Sequence, residues 1–404
     1  MTPTQRPSVE RALALIWQAA APLGVETISC SHAAGRTTAQ GIQAMRDTPT
    51  FRASAMDGFA LCSGDTTAAS HKAPVRLRLL SPVFAGMPVQ PLARGAAIPI
   101  STGAPVPEGA DAVLVREAAE IRAGELVLDR PVLQDRNVRQ IGEDARAGDM
   151  ILPPGAWLSP AMIGALTAYG VARLPVWRSP GVAVISTGSE LMGSGAVLER
   201  AAFVDSNGPM IRSAVGQLGL GADFIGIARD ERHALDAALD AASASDLVVS
   251  TGGVSAGDLD LVRERLEARG AEIIFHGVRM RPGKPLLFAR LADGRLYFGL
   301  PGTPVAALVT FRFFVTHAIR RLAGLPAEQG EPIRHNGVAR EGTTLFLRAR
   351  RGTSPQGHPL ADTQLDQRPH ILRSIFEADL WLRLHDGDGE GDESSLAYPF
   401  TARL

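Results

Sequence analysis

Apolar positions follow two rhythms along this chain. At the start, Val9, Leu13, Ile16, Trp17 and Ala20 recur at helical spacing and share one face, with Ser8 ahead of them as an N-cap. The run Ala12–Ala21 is apolar enough to resemble a signal peptide, but its periodicity is that of an amphipathic helix. The uncharged stretch 150–172 has the length of a membrane span. Pro153, Pro154, Gly155 and Pro160 interrupt it, and Ser159-Pro160 reads as a helix start with Gly170 as its stop. The sequence predicts no membrane segment.

Between these helical regions, residues 45–147 change rhythm. Short alternating runs such as Val75–Leu80, set among many Pro and Gly, predict a β-rich insertion. After Pro180, strand and helix alternate. Val182–Ser186, Asp223–Ala228, Leu247–Ser250 and Ile273–Phe275 read as strands, and Pro209–Leu218, Glu231–Ala242 and Leu261–Arg269 as helices. Pro285–Ala289 and Leu296–Gly299 read as a hairpin around Ala292-Asp293-Gly294, and Val305–Leu322 as one long apolar helix. Short strands return after Pro326, among them Thr344–Ala349 and Leu380–Leu384. The predicted fold is multidomain α/β and β, with a mostly parallel sheet in the central α/β domain. The expected domains are a discontinuous helical one (1–44 plus 148–178), a β-rich insertion (45–147), the α/β domain (179–325) and a small C-terminal β-domain (326–404).

Composition narrows the function. A chain of 404 residues, at about 100–200 per domain, accommodates two to four domains without a disulfide or metal staple. With 41 Lys+Arg against 42 Asp+Glu the net charge is −1, which argues against a general nucleic-acid binder. Cys30 and Cys62 form no metal or disulfide pattern and the nine histidines are scattered, so a reducing, cytoplasmic setting is expected. The acidic run Asp386–Glu393 lacks a Glu at the calcium-ligating position, where Ala397 stands, and reads better as a solvated loop. The 42 Gly and 28 Pro against 5% aromatics point to backbone turns as the working parts.

Those turns fall where an α/β sheet binds ligands, at the carboxyl ends of strands. Thr187-Gly188-Ser189-Glu190, Arg229-Asp230, the run Thr251–Asp260 and Leu300-Pro301-Gly302-Thr303-Pro304 each follow a predicted strand. Glycine lets backbone approach a ligand, and amides at a helix start bind anions. No Walker A or G-x-G-x-x-G sequence is present, which disfavours an ordinary NTPase or NAD enzyme. Asp258 and Asp260 alternate beside such a loop, an arrangement suited to Mg²⁺ on a phosphate; helix capping is the plain alternative. Arg281-Pro282-Gly283-Lys284-Pro285 fixes two cations on a rigid turn and reads as an oxyanion pocket. A phosphorylated or anionic ligand is expected.

In their order, Ser54-Ala55-Met56-Asp57-Gly58, Ser101-Thr102-Gly103-Ala104-Pro105, Gly142-Glu143-Asp144, Ser186–Leu191, Asp205-Ser206-Asn207, Gly252–Asp260, Pro282–Pro285 and Leu300-Pro301-Gly302 resemble the molybdopterin molybdenumtransferases, a family that includes the E-domain of gephyrin. The resemblance covers about residues 8–325 and weakens over 326–404. It implies an elongated homodimer with an active site shared between subunits. It also implies a reaction that takes adenylylated molybdopterin and molybdate, releases AMP and leaves molybdenum on the dithiolene. Tungstate is an alternative oxyanion of the same shape. Molybdopterin adenylyltransferase and molybdoenzyme clients are the implied partners, with no nucleic acid and no membrane.

Carried over by position, Gly252, Gly253, Ser255 and Gly257 cradle the pterin nucleotide, with Asp205, Asn207, Asp258, Pro301 and Gly302 also substrate-binding. Asp260, with Asp258 and Glu190, serves Mg²⁺ and phosphoanhydride cleavage; Asp230 is a further acid, and Asp57 and Thr102 reach in from the partner subunit. Arg281, Lys284 and Arg348 attract molybdate. The chain departs from the family at Arg281 (Lys), Thr303 (Asn), Ala306 (Ser), Arg368-Pro369 (Gly-Ser) and Arg52-Ala53 (Asp-Asn). These departures leave open a divergent paralogue that carries the pterin, or acts as a scaffold, without efficient molybdate insertion.

Overall fold

The computed structural model describes residues 6–197, 201–254, 261–354, 357–385 and 395–402. The run Asp386–Glu393, read above as a solvated loop, lies outside the described residues. The first helix, Val9–Ala19, starts as the sequence predicts, with the Ser8 hydroxyl accepting from the Arg11 N–H at 3.2 Å. Its Val9, Ala12 and Ile16 are fully buried and join one core with Val184, Val249, Phe288, Phe298, Phe314 and Trp381. Trp17, on the helix flank, packs 4.9 Å from the His317 ring and beneath the Arg321 guanidinium. Burial pulls His317 down to about 4, so it packs as a neutral ring. Among the described residues no helix is long and apolar enough to cross a membrane.

The reading of residues 1–44 as helical needs correction. Val25–Ser29 is a strand, paired antiparallel with Arg173–Trp177 from beyond the β-rich insertion. The partners are far apart in sequence, and Val25, Glu26 and Thr27 are exposed, so no apolar alternation announces the strand. The second helix, Pro160–Ala168, begins where expected: Ser159 accepts from the Met162 N–H at 3.3 Å, and Pro160 occupies the first turn.

The central sheet has six strands in the order Ala222–Ala228, Val182–Thr187, Leu247–Thr251, Leu296–Leu300, Leu287–Arg290 and Glu272–His276. The first four are parallel and the last two join antiparallel. Val182–Thr187, Leu247–Thr251 and Leu296–Leu300 are buried throughout, as parallel strands covered on both faces must be. The long helix expected over 305–322 is instead Pro304–Thr310 and Thr316–Leu322, joined by a wider π turn at Phe311–Val315. All five residues of that turn are buried, so apolar periodicity could not reveal the break. Within it, Arg312 forms a two-pronged ion pair with Glu328 at 2.6 and 2.8 Å and donates to the Pro399 carbonyl at 3.1 Å.

A second six-stranded sheet runs Ala112–Val115, Gly58–Leu61, Ala96–Ile100, Val75–Leu79, Glu125–Leu128 and Glu120–Arg122. A third sheet gathers the C-terminal strands around Thr344–Thr353, and Met280–Arg281 of the central region pairs onto it. Glu10 of the first helix pairs with Arg383 and, at 3.3 Å, with His385, so charge as well as apolar area joins the two ends of the chain.

In the second sheet, Gly58 is a steric necessity. A Cβ there would lie 2.0 Å from the Leu114 carbonyl oxygen on the neighbouring strand. Gly58→Ala is expected to cost about 3 kcal/mol in thermal or denaturant unfolding. Gly164 sits in a helix with nothing within 4 Å of its missing Cβ. There Gly164→Ala should gain about 0.5–1 kcal/mol; equal effects at both positions would contradict this account.

Candidate ligand site at the strand ends

The chain leaves Val182–Thr187 through helix Asn207–Gln217 to reach Ala222–Ala228 on one side. It then crosses through helix Arg232–Ala241 to Leu247–Thr251 on the other. The connections diverge between these neighbouring strands, so their carboxyl ends form a topological switch point, where such sheets open a crevice. Gly252 and Gly253 close its floor in the left-handed region, at φ +88° and +66°. A Cβ at Gly252 would lie 2.4 Å from the Thr187 carbonyl oxygen, and one at Gly253 would lie 2.8 Å from Thr187 Oγ1. The Gly252 N–H donates to the Leu300 carbonyl at 3.0 Å, and the missing Cβ of Gly302 would be 3.6 Å from Gly252 Cα. Three strand-end loops therefore meet backbone to backbone, with Pro301 buried beneath Gly302.

Asp205 and Asn207 anchor the helix bordering this crevice. Asp205 accepts from Ser186 Oγ at 2.6 Å and from the Gly208 N–H at 3.0 Å, so both its oxygens are engaged. Sequence reading missed the role of Ser186; Asp-Ser-Asn ahead of a helix signals a cap, but nothing in spacing signals the strand residue it grips. Asn207 donates to the Gly302 carbonyl at 2.8 Å, while its Oδ1 is buried without a partner, as is Thr251 Oγ1. A cavity of about 500 Å³ opens alongside Asp205, lined also by Ser194, Pro209, Arg212, Phe224 and Ile227. That size suits a small organic ligand.

Asp230 and Ser189 bind each other reciprocally. The Ser189 N–H donates to Asp230 Oδ2 and the Asp230 N–H to Ser189 Oγ, each at 3.1 Å, which ties two strand-end loops together. Next to them the Glu190 carboxylate folds over Gly188; a Cβ on that glycine would lie 2.8 Å from both its oxygens. Glu190 is exposed. Ser255, Gly257, Asp258 and Asp260 lie outside the described residues. Among the described residues no three His, Cys, Asp or Glu converge as a metal site.

Asp57 and Thr102 meet at one end of the second sheet. The Thr102 N–H and Oγ1 both donate to Asp57 Oδ1, at 2.7 and 3.0 Å. Three adjacent strands begin or end here, since Gly58 stands opposite both Ile100 and Val115. The Thr102 backbone bond, then its hydroxyl, hold the Asp57 carboxyl below the usual carboxylate range, with Arg116 helping. Asp57 therefore stays ionised at a lower pH than a free carboxylate. Its stabilising bonds persist above the unfolded-state pKa and are lost as pH falls through the folded one.

The three predicted oxyanion cations occupy different settings. Arg281 and Lys284 are exposed, on a loop whose Gly283 packs against Thr310 and Met280. Arg348 is 1% exposed. It donates to the carbonyls of Asp366 at 2.5 Å and Arg368 at 3.3 Å, while its Nε and Nη1 lack partners. Burial pulls its guanidinium below the ordinary arginine value, against the nearby Asp366 carboxylate, which Arg368 holds down to about 2. Arg281 sits opposite Leu345, three positions before Arg348, so about 10 Å of strand separates the two levels.

Backbone-lined strand ends at a topological switch point are where an open α/β sheet takes ligands, and they define the class of this protein as a multidomain α/β fold. The family model described as the MoeA N-terminal region (domain I and II) matches residues 7–170, and that of a probable molybdopterin binding domain matches residues 183–321. The molybdopterin molybdenumtransferase of Staphylococcus aureus (strain N315) is 36% identical over 303 residues, 74% of this chain and 71% of that one. Its counterpart in Staphylococcus epidermidis (strain ATCC 12228) is 34% identical over 322 residues, 79% and 77% of the two chains. The solved molybdopterin biosynthesis MoeA protein from Pyrococcus horikosii superposes with a TM-score of 0.79 at 30% identity, covering 98% of this chain and 100% of that one. The chain belongs to the molybdopterin molybdenumtransferase family.

The Asp57–Thr102 contact is separable into backbone and hydroxyl parts. Thr102→Val removes only the 3.0 Å bond, so the Asp57 midpoint, followed by carboxyl NMR, should move part of the way back up toward the ordinary carboxylate range. An unmoved midpoint would show that the hydroxyl contributes nothing.

Proposed function

We propose that this chain takes adenylylated molybdopterin and molybdate, releases AMP and leaves molybdenum on the dithiolene, as a step in molybdenum cofactor biosynthesis. The observation that carries the reading is the left-handed backbone at Gly252 and Gly253, packed on the end of the strand at Thr187 with Gly253 and Gly302 exposed, so that main chain faces solvent there. Asn207 Oδ1, buried and unpartnered, suits an N–H of a heterocycle, and Thr251 Oγ1, at the end of the strand that leads into Gly252, is a second unpartnered group. Such groups discriminate between ligands because an analogue that leaves them unpaired binds poorly.

The anionic end of the reaction falls to the loop carboxylates and the basic turn. Glu190 offers oxygen donors at the rim of the crevice, the donor type Mg²⁺ prefers, and Asp258 and Asp260 complete the proposed set. When bound, Mg²⁺ would neutralise charge on the phosphoanhydride. Asp230 holds the Ser189 loop in place through its reciprocal bonds, which fixes where Glu190 is presented. Arg281 and Lys284 are exposed to receive a dianion from solvent, and the unpartnered N–H groups of Arg348 mark a buried cation with unused donors. In this reading the enzyme is a cytoplasmic homodimer in which Asp57 and Thr102 come from the partner subunit. Ala306, where the family has Ser, is 3% exposed on helix Pro304–Thr310.

The direct test is AMP release from adenylylated molybdopterin with Mg²⁺ and molybdate. Wild-type protein should turn over, and Asp260→Ala should lower the rate by about 100-fold or more at unchanged thermal stability. Absence of release with molybdate and with tungstate would overturn the reading.

A further inference from the structure

At the sheet end that carries Asp57 and Thr102, a neighbouring loop presents an aromatic ring to solvent. Phe84 is 54% exposed, and Met56, beside Asp57, is 43% exposed. This loop is fixed. The Val83 N–H donates to the Pro99 carbonyl at 2.8 Å, and the Ser101 N–H returns to the Val83 carbonyl at 3.2 Å. On the other side of the ring, the Ala85 N–H donates to Ser101 Oγ at 3.3 Å. The Met87 N–H closes a turn onto the Phe84 carbonyl at 3.1 Å, with Gly86 at φ +82°. Both chain neighbours of Phe84 are therefore bonded to Ser101, the residue before Thr102, whose N–H and hydroxyl grip Asp57.

An isolated exposed phenylalanine on a loose loop would need no explanation. Here the backbone on each side is pinned to Ser101, next to the residue that grips the carboxylate, so Phe84 and Asp57 stay at one sheet end. We propose that Phe84 is a substrate-binding residue that stacks on a planar heteroaromatic ring of the ligand whose reaction Asp57 serves. This rests on the proposed function for the placement of Asp57 at the reacting ligand. Exposed aromatic faces stack on ring systems with little cost in side-chain order, and the pterin and the adenine of adenylylated molybdopterin both offer such a face. Phe84 and Asp57 belong to the same sheet end, and the proposal places both against the same ligand.

Steady-state AMP release and Trp fluorescence test this together. Phe84→Ala should raise KM for adenylylated molybdopterin about tenfold, with kcat and thermal midpoint close to wild type. Phe84→Trp should keep the wild-type KM and add a ligand-quenched signal above that of the four native Trp residues. Phe84→Leu should behave like Phe84→Ala, because it keeps apolar area and removes the ring face. Quenching by AMP alone assigns adenine to the ring; quenching only by the intact pterin nucleotide assigns the pterin. A wild-type KM in Phe84→Ala or Phe84→Leu, or no quenching in Phe84→Trp, overturns the proposal. Were wild-type protein itself unable to release AMP, the proposed function would fail, while the quenching titration would still decide on Phe84.

Discussion

Everything at the candidate site depends on how closely two parallel strands end beside one another. Thr187 and Gly252 meet with a carbonyl oxygen where a Cβ would stand, so the loop after Leu247–Thr251 can cross the end of Val182–Thr187 only as glycine. From that contact follow the Gly252 bond to Leu300, the nearness of Gly302 and the seat of Asn207 against the Gly302 carbonyl. The crevice floor is thus main chain, whose shape the buried strands enforce.

The remaining domains serve that floor by position. The first helix docks its Val9, Ala12 and Ile16 face into the core of the α/β domain, and Glu10 reaches Arg383 of the C-terminal sheet. Arg178 and Asp246 form a two-pronged pair at 3.0 and 2.6 Å where the chain enters the central sheet, and Asp246 also accepts from the Gly181 N–H at 2.8 Å. The π turn at Phe311–Val315 brings Arg312 to Glu328 and Phe313 against Phe346, Trp381 and Tyr398. These contacts fasten the C-terminal sheet, and with it Arg348, to the helix that starts just after Gly302.

Much of this was legible in the residues because local chemistry specified it. Ser8 and Ser159 marked helix starts, the strand–helix alternation after Pro180 marked the parallel sheet, and glycines at strand ends marked the crevice. Long-range pairings were not legible. Val25–Ser29 finds Arg173–Trp177 across an entire inserted domain, and Met280–Arg281 leaves the central region to pair with Thr344–Leu345. The grip of Ser186 on Asp205 and the burial of Arg348 are likewise products of packing, which spacing along the chain does not encode. A resemblance supplied roles for Arg281, Lys284 and Arg348 together, whereas the fold seats two at the surface and one inside.

In the proposed function, ligand lies against bare backbone at Gly252. Calorimetric titration of Gly252→Ala with adenylylated molybdopterin tests it most directly, with near-ultraviolet circular dichroism as the check on packing. Affinity should fall by about tenfold or more, together with a lower thermal midpoint, because the added Cβ meets the Thr187 carbonyl oxygen at 2.4 Å. Wild-type affinity in a folded Gly252→Ala protein would contradict the claim.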